Sequence, residues 1–294
     1  MRITSIIKVN KHRDPFIISF LFVLILAGSL LGLKFRELQK TKIEKPFVQS
    51  PESVSKIEIQ ETGKTATLEK KENLWLIKEE EELPAEAEKV NKILEALKTL
   101  TAGDLVSENE DNYQKLGVAS PSAIIFSVFE GEKQILKLFV GNAGPDFEKD
   151  YIRLDGEKKV FLSNLALRSL LSYSVWKNKK ITSFKSDEIK EATIIFGSET
   201  KKLDAEKGKD LINALTGLTA DDAVKISENN VKNFGFEKPE KTIELLTEKE
   251  KIVLKFGTKT KDKKQYLQKN NDKIAYLLSL YTADKITETL KKLL

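Results

Sequence analysis

Cysteine is absent from this chain of 294 residues, and histidine occurs once, as His12. Without cysteine the chain has no disulfide, no thiol nucleophile and no thiolate metal ligand. The single histidine precedes a long apolar run, so the rest of the chain has no imidazole for acid–base catalysis or zinc binding. These two absences exclude most hydrolase classes.

Two further patterns that mark ligand sites are also missing. The glycine-containing segment 141–146 lacks the lysine and the hydroxyl residue of a phosphate-binding loop. Glu108, Glu110 and Asp111 lack the spacing and central glycine of a calcium loop, so we interpret them as acids at the start of a short helix. We therefore predict no catalytic, cofactor-binding or metal-binding residues, and no cofactor.

Basic charge is concentrated at the N-terminus. The formal net charge is +5, yet residues 1–45 contain nine Lys and Arg against three acids, and residues 46–294 contain 41 against 42. A nucleic-acid-binding domain needs a basic surface, so this balance removes the electrostatic support for such a function. The lysine-rich loop 258–264 is interpreted as a solvated hairpin tip, with anionic lipid or an acidic partner as the alternative.

A run of nineteen residues without a charge, Pro15–Leu33, follows a basic leader at 1–14. A helix needs about this length to cross the hydrocarbon core of a bilayer. One alternative is a cleaved signal peptide, with the small residues 27–29 at the cleavage site. A buried core helix fits less well, because the run has no polar face. We predict an uncleaved transmembrane helix.

The predicted location is the bacterial inner membrane, crossed once, with the C-terminal part on the periplasmic or extracellular side. Basic residues flank the apolar run on both sides, so positive charge alone does not fix the orientation. We favour a cytoplasmic N-terminus, because a short basic leader before one apolar segment behaves as an uncleaved export signal. Residues 34–53, which include Pro46 and Pro51, are predicted to be a polar tether.

The segment Leu100–Pro121 recurs as Leu218–Pro239 at a constant offset of 118 residues. Matching positions include the pairs Ala102/Ala220, Asp104/Asp222, Val106/Val224, Asn112/Asn230, Gly117/Gly235 and Pro121/Pro239. A period of this length indicates duplicated domains rather than solenoid units. We predict two copies, residues 54–184 and 185–294, in which Gly117 and Gly235 each follow a short helix at positive φ.

Alternating apolar and polar residues predict antiparallel strands in both copies. In the first copy the predicted strands are 54–59, 65–69, 74–77, 123–130, 134–140, 151–154 and 160–162, and in the second 192–196, 201–204, 242–246, 251–256, 266–268 and 274–278. Trp75 is interpreted as a core residue. The fold class is α+β: an N-terminal transmembrane helix followed by two tandem, internally repeated antiparallel-sheet-plus-helix subdomains.

Amphipathic helices accompany the predicted strands. Pro84 is placed in the first turn of a helix whose inner face carries Val90, Ile93, Leu94, Leu97 and Leu100. Further helices are predicted at 111–116, at 164–172 with Ser163 as its cap, at 207–218, and at 283–294 with Thr282 as its cap.

Three segments of the first copy carry a family resemblance: the strand Trp75-Leu-Ile, the run Leu105-Val-Ser-Glu-Asn…Tyr113…Leu116-Gly-Val…Pro121 and the hairpin Tyr151-Ile-Arg-Leu-Asp-Gly…Val160-Phe-Leu. In these segments the chain resembles the bacterial family known as domain of unknown function 4340. The resemblance covers residues 54–184; the second copy has Lys225-Ile226 before its Ser-Glu-Asn and lacks the tryptophan strand. It implies a membrane-anchored ectodomain, often encoded beside ABC-type export systems of the gliding-motility type. It assigns no catalytic residue.

Three functions are consistent with the sequence. The first is a non-catalytic accessory or interaction subunit of an envelope complex. Its partners would be an integral membrane protein, namely an ABC-type permease or its auxiliary subunit, and the lipid bilayer through Pro15–Leu33, with no nucleic acid. The second is an envelope module that binds a glycan or lipid, in a cleft between the copies. The third is a hydrolase that uses carboxylates alone, for which Asp104 and Asp222 are the pair to test. Capping explains this pair better, and we predict the first function.

Overall fold

The computed structural model of the protein describes Ile25 and residues 45–171 and 176–294. The predicted basic leader and, apart from Ile25, the predicted membrane helix Pro15–Leu33 lie outside these residues. In the described part of the chain, no helix is long and apolar enough to cross a membrane.

The first half of the described chain forms nine strands and three α-helices. They are β1 Lys56–Glu61, β2 Lys64–Lys71, β3 Leu74–Ile77, β4 Leu83–Pro84, α1 Ala87–Thr99, β5 Ala102–Ser107, α2 Tyr113–Leu116, β6 Ile124–Glu130, β7 Lys133–Ala143, β8 Asp150–Leu154, β9 Val160–Ser163 and α3 Leu167–Leu171.

The second half of the described chain forms seven strands and three α-helices. They are β10 Ile189–Phe196, β11 Glu199–Asp204, α4 Lys209–Leu215, β12 Asp222–Lys225, α5 Val231–Phe234, β13 Lys241–Thr247, β14 Lys251–Lys259, β15 Gln265–Lys269, β16 Ile274–Leu278 and α6 Leu280–Leu293.

The strands form two antiparallel sheets, so the fold is α+β. The first sheet has the order β4-β3-β2-β1-β6-β7-β8-β9-β5, and the second has the order β11-β10-β13-β14-β15-β16-β12. When β3 and β4 are left out of the first sheet, the two strand orders coincide. The two halves of the chain therefore follow one topology, and the first half carries an additional hairpin.

Each sheet packs helices on one face to form a hydrophobic core. In the first core, the predicted face of α1 is confirmed, because Val90, Ile93 and Leu97 are buried and Leu94 packs against them. Trp75 on β3 is also buried in this core, as predicted. In the second core, α4 and α6 cover the sheet with residues such as Leu211, Leu215, Ile286 and Leu290.

The repeated motif covers the opposite face of each sheet with a smaller apolar cluster. In the first copy, Leu116 and Val118 pack on Phe139, and in the second, Phe234 and Phe236 pack on Ala275. The glycine that follows each short helix has positive φ, 73° at Gly117 and 71° at Gly235, as the sequence predicts.

The motif also contains two strands that the sequence analysis did not predict. These are β5 and β12, which pair with β9 and β16 at one edge of their sheets. The pairing of β5 with β9 shifts register on both sides of Leu105. Gly103 and Asp104 are poor strand formers, so the local pattern of β5 does not identify it as a strand.

Three predicted positions differ from the structure. Pro84 lies on β4, where it pairs with Leu76, instead of opening α1. The first turn of α3 is capped by Asp150, whose Oδ2 accepts from the Arg168 N–H at 2.6 Å, and not by Ser163. The cap of α6 is the Ser279 hydroxyl, which accepts from the Thr282 N–H at 3.1 Å.

The chain is fixed to the first core from Phe47 onward. The Phe47 N–H donates to the Leu100 carbonyl at 3.1 Å, and Val48 is buried in the core. The predicted tether comprises residues 34–53, and its last part, from Phe47, therefore packs on the folded domain. This contact places Phe47 beside the C-terminal end of α1.

The extra hairpin leaves the two sheets with different edges. In the first sheet β2 is covered by β3, whereas in the second the equivalent strand β11 lies at the edge. Lys201 on β11 stands opposite the buried Ile194, so it lies on the inward side of this edge. An inward-pointing charge at an edge strand opposes pairing with another chain.

We expect Gly117→Ala to lower the free energy of unfolding by about 2–4 kcal/mol, because positive φ and a steric clash both oppose a Cβ there. A Cβ at Gly117 would lie 2.6 Å from the Asn142 Oδ1 and 2.9 Å from its backbone nitrogen. The matched control is Gly63→Ala, which has a φ of 78° and nothing within 4 Å, and it should cost about 1 kcal/mol. Equal losses in urea unfolding of the two variants would contradict the steric contribution.

Candidate functional site at the junction of the two sheets

The segment 176–182 connects the two halves and bonds to both, with isolated β-bridges at Lys177 and Lys180. On one side, the Glu86 N–H donates to the Trp176 carbonyl at 2.7 Å and the Asn178 N–H donates to the Pro84 carbonyl at 2.9 Å. On the other side, the Ala220 N–H donates to the Lys179 carbonyl at 2.8 Å. We call residues 176–182 the shared strand.

The extra hairpin of the first copy reaches into the second copy at this junction. Leu83 on β4 belongs to the first sheet, yet its side chain is 2% exposed and packs in the second hydrophobic core. The junction is therefore held by backbone hydrogen bonds and by the burial of apolar side chains.

A cleft of about 420 Å³ lies at the junction. Both halves and the shared strand contribute to its lining, which consists of Thr65, Ala66, Ile77, Glu79, Glu80, Trp176, Lys177, Lys179, Asp221, Asp222, Lys264 and Leu277. The volume is within the range of small-molecule sites. The lining combines an apolar floor with seven ionisable side chains.

Lys177 bridges two carboxylates, one from each half of the chain. Its Nζ lies 3.0 Å from Glu80 Oε2 and 3.0 Å from Asp222 Oδ1, and it also donates to the Ala223 carbonyl at 3.3 Å. Burial by itself lowers the pKa of Lys177, but the hydrogen bonds and charges of Glu80 and Asp222 outweigh it and raise the pKa. The ammonium therefore stays charged at neutral pH and links the two halves.

The other acids of the cleft are also engaged. Asp221 Oδ2 lies 2.9 Å from Lys264 Nζ, and Glu79 accepts from the Thr67 N–H at 2.8 Å and from its hydroxyl at 2.6 Å. A general acid–base pair needs one carboxylate kept protonated by burial or by a neighbouring anion. In this cleft each carboxylate is instead held by a cation or by hydrogen-bond donors, an arrangement that suits a structural junction.

The structure does not bring the two candidate aspartates of a carboxylate hydrolase, Asp104 and Asp222, together in this cleft. Asp104 lies on β5 of the first sheet, whereas Asp222 lies on β12 of the second sheet and lines the cleft. Asp222 is bound to Lys177 and also accepts from the Ala223 N–H at 2.8 Å. Both aspartates lie on strands, so the capping that we predicted for this pair is not what the structure shows, and Asp222 instead forms an ion pair with Lys177.

The acids of the repeated motif lie at the surface beside lysines. Lys159 lies 3.5 Å from Glu108 and Lys158 lies 3.1 Å from Glu110. The Asn109 side chain accepts from the Asp111 N–H at 3.0 Å and so caps a 3₁₀ turn. Within the residues that the structure describes, no group of three or more His, Asp or Glu side chains is placed to hold a metal ion.

Sequence reasoning missed a buried lysine in the second copy. Lys241 Nζ donates to Gln265 Oε1 at 3.0 Å and to Thr287 Oγ1 at 2.7 Å, and its side chain is fully buried. Burial lowers its pKa from 10.5 to about 8, although Glu240 partly opposes this effect. The signal in the sequence was a lysine where the first copy has an apolar residue, because Lys241 pairs with Phe256 as Ile124 pairs with Val140. Its contacts join β13, β15 and α6, and leave it no access to a substrate.

A family model described as a domain of unknown function (DUF4340) matches the chain twice, over residues 75–211 and 200–294. Each match contains one copy of the repeated motif. No curated protein and no solved structure matches the chain.

We expect Lys177→Met to lower the free energy of unfolding by about 1–3 kcal/mol, because Glu80 and Asp222 lose their shared cation. The loss should be present at neutral pH and disappear as the pH rises above 10.5, through the raised pKa of Lys177. The control is Lys264→Met, whose exposed pair with Asp221 should leave the urea midpoint near that of the wild type. A Lys177→Met midpoint equal to the control's would contradict the bridging role.

The lowered pKa of Lys241 predicts that folding stability rises with pH between about 8 and 10.5. Over this interval the folded chain has released the proton that the unfolded chain still binds, so this lysine adds up to about 3 kcal/mol to the free energy of unfolding. Lys241→Met should abolish that rise, whereas Lys249→Met, in an exposed turn, should retain it. Urea unfolding from pH 7 to 10.5 checks this, and equal pH slopes would contradict it.

Proposed function

Because the chain belongs to the family of unknown function DUF4340, whose members have no assigned chemistry, we propose a function by contact: a membrane-anchored, non-catalytic ectodomain that acts as an interaction subunit of an envelope complex. The family resemblance suggests an ABC-type permease or its auxiliary subunit as the partner. The proposed location is the inner membrane, with the ectodomain on the periplasmic or extracellular side.

The observation that carries this proposal is the uncharged run Pro15–Leu33 and its distance from the folded domain. The chain is fixed to the first core from Phe47, so thirteen residues, 34–46, separate the two. Fully extended, they reach about 45 Å at most. A tether of this length keeps the ectodomain beside the bilayer and raises its effective concentration near an integral partner.

The junction cleft supports a non-catalytic role. Lys177 is occupied by Glu80 and Asp222 and so joins the two halves, and Lys264 is occupied by Asp221 within the second half. An enzyme that uses carboxylates alone would need two acids across one cleft, each free to exchange a proton. Because these acids are held in ion pairs, they support a structural role for the cleft and argue against a hydrolase that uses carboxylates alone.

A second candidate function is the binding of a small envelope ligand in the same cleft. The observation that favours it is the combination of Ala66, Ile77 and Leu277 with polar groups in a volume of about 420 Å³. Lys179 makes no ion pair within the described residues, so it remains available to a ligand. Ligand-dependent protection of the Lys179 amine from acetylation would favour this alternative.

We expect the full-length protein to need its apolar segment for function. Replacing Pro15–Leu33 with a cleavable export signal should abolish complementation of a deletion strain, because the released domain loses its local concentration near the partner. Replacing Asp104 and Asp222 together with Asn should leave complementation nearly intact, because Lys177 keeps Glu80 as its counter-ion and the carboxamide keeps the shape of each side chain. Alkaline carbonate washing of membranes should leave the wild-type protein in the pellet.

The two variants discriminate between the functions. Loss of complementation in the folded Asn double variant, together with full activity of the released domain, would favour the carboxylate hydrolase.

Recovery of the wild-type protein in the carbonate supernatant, at a mass without the leader, would favour the cleaved signal peptide. Protease added to spheroplasts should digest the ectodomain, and protection under conditions that degrade a known external protein would contradict the proposed topology.

A further inference from the structure

The loop between β7 and β8 holds an aromatic side chain away from the protein. Its backbone is closed by two hydrogen bonds, from the Gly144 N–H to the Lys149 carbonyl at 2.7 Å and from the Phe147 N–H to the Gly144 carbonyl at 3.1 Å. A third bond, from the Glu148 N–H to Asp146 Oδ1 at 3.2 Å, orders the same turn. Phe147 is 80% exposed.

Phe147 also has a backbone conformation that disfavours a bulky residue. Its φ is 60°, in the left-handed region that glycine and asparagine adopt most readily. A residue other than glycine costs on the order of 1–3 kcal/mol in such a region. The phenylalanine therefore costs conformational energy at this position, and its exposed ring buries little apolar surface in return.

The second copy shows that the loop does not require an aromatic residue. The equivalent turn between β14 and β15 is closed by the Thr260 N–H to the Lys264 carbonyl at 2.8 Å and by the Lys263 N–H to the Thr260 carbonyl at 2.9 Å. Lys263 stands in the place of Phe147 and has the same φ of 60°. This loop is one residue shorter than the loop closed by Gly144 and Lys149, yet it holds a charged residue at the same φ, so closing such a loop does not require an aromatic ring.

We propose that the loop Gly144–Lys149 is a docking element, and that Phe147 inserts into an apolar pocket with a basic rim on an integral membrane partner. This inference rests on the proposed function and names the surface that would carry it. Exposed aromatic residues in ordered positions are typical anchors of protein interfaces. Asp146 and Glu148 flank the ring, and with Lys149 the loop carries a net charge of −1.

The flanking charges favour a protein pocket over the bilayer surface. Asp146 lies 3.9 Å from Lys149, whereas Glu148 makes no ion pair within the described residues. Carboxylates on both sides of an inserting ring are repelled by anionic lipid headgroups, which attract lysines instead. Basic residues around a protein pocket would complement the same two acids and fix the orientation of the loop.

The matched pair Phe147→Gly and Lys263→Gly separates docking from folding. Both variants relieve positive φ, so both should keep or raise the unfolding temperature of the full-length protein. Only Phe147→Gly should lose complementation of the deletion strain. Full complementation by a well-expressed Phe147→Gly variant, or equal loss in Lys263→Gly, would overturn the proposal.

Photocrosslinking in intact cells identifies what the ring contacts. Benzoylphenylalanine at position 147 of the full-length chain should crosslink to one integral membrane protein, and the same probe at position 263 should not. Reversal of the flanking charges by Asp146→Lys with Glu148→Lys should lower the yield about tenfold, as expected for an interface anchor. Crosslinks to lipid alone, to a second copy of the chain, or with unchanged yield after charge reversal would overturn the proposal.

This experiment is independent of the test of the proposed function. If the cleavable leader leaves complementation intact, the membrane-tethered function is wrong regardless of Phe147. If the anchor is required but the 147 probe gives no protein adduct, the anchored function stands and the docking surface lies elsewhere.

Discussion

Backbone hydrogen bonding along the shared strand is the interaction on which the arrangement of the two halves depends. Its carbonyls and N–H groups bond to the Pro84–Glu86 segment on one side and to Leu218 and Ala220 on the other. Buried backbone groups without partners are costly, so separating the halves would expose donors and acceptors on both sides. Lys177 lies on this strand and adds the charge bridge between Glu80 and Asp222.

The two copies share a topology but contribute differently to the molecule. The additional hairpin gives the first copy Trp75 for its own core and Leu83 for the core of its neighbour. The second copy lacks this hairpin and ends with the longer helix α6, which the buried Lys241 joins to the sheet through Thr287. Because the copies have diverged in this way, they are joined into one structure in which they are not interchangeable.

This asymmetry extends to the surface and bears on function. At the junction, charges are occupied by one another, whereas corresponding loops away from the core carry different side chains at a residue with a φ of 60°, Phe147 in the first copy and Lys263 in the second. Backbone hydrogen bonds close both loops, from the Gly144 N–H to the Lys149 carbonyl in the first and from the Thr260 N–H to the Lys264 carbonyl in the second. These bonds do not explain the difference in side chains, which we relate to the docking role proposed for Phe147.

The sequence by itself determined the features that depend on neighbouring residues. Alternation of period two predicted most strands, the face of α1 followed from its helical spacing, and the constant offset identified the repeated glycines. Tertiary structure decided the rest, because its contacts join residues far apart in the chain. β4 resembled a helix start because Pro84 suits both settings, and β5 became a strand only by pairing with β9. Lys177 could not be identified as a bridge from its neighbours, since its partners Glu80 and Asp222 come close only when both halves bond to the shared strand.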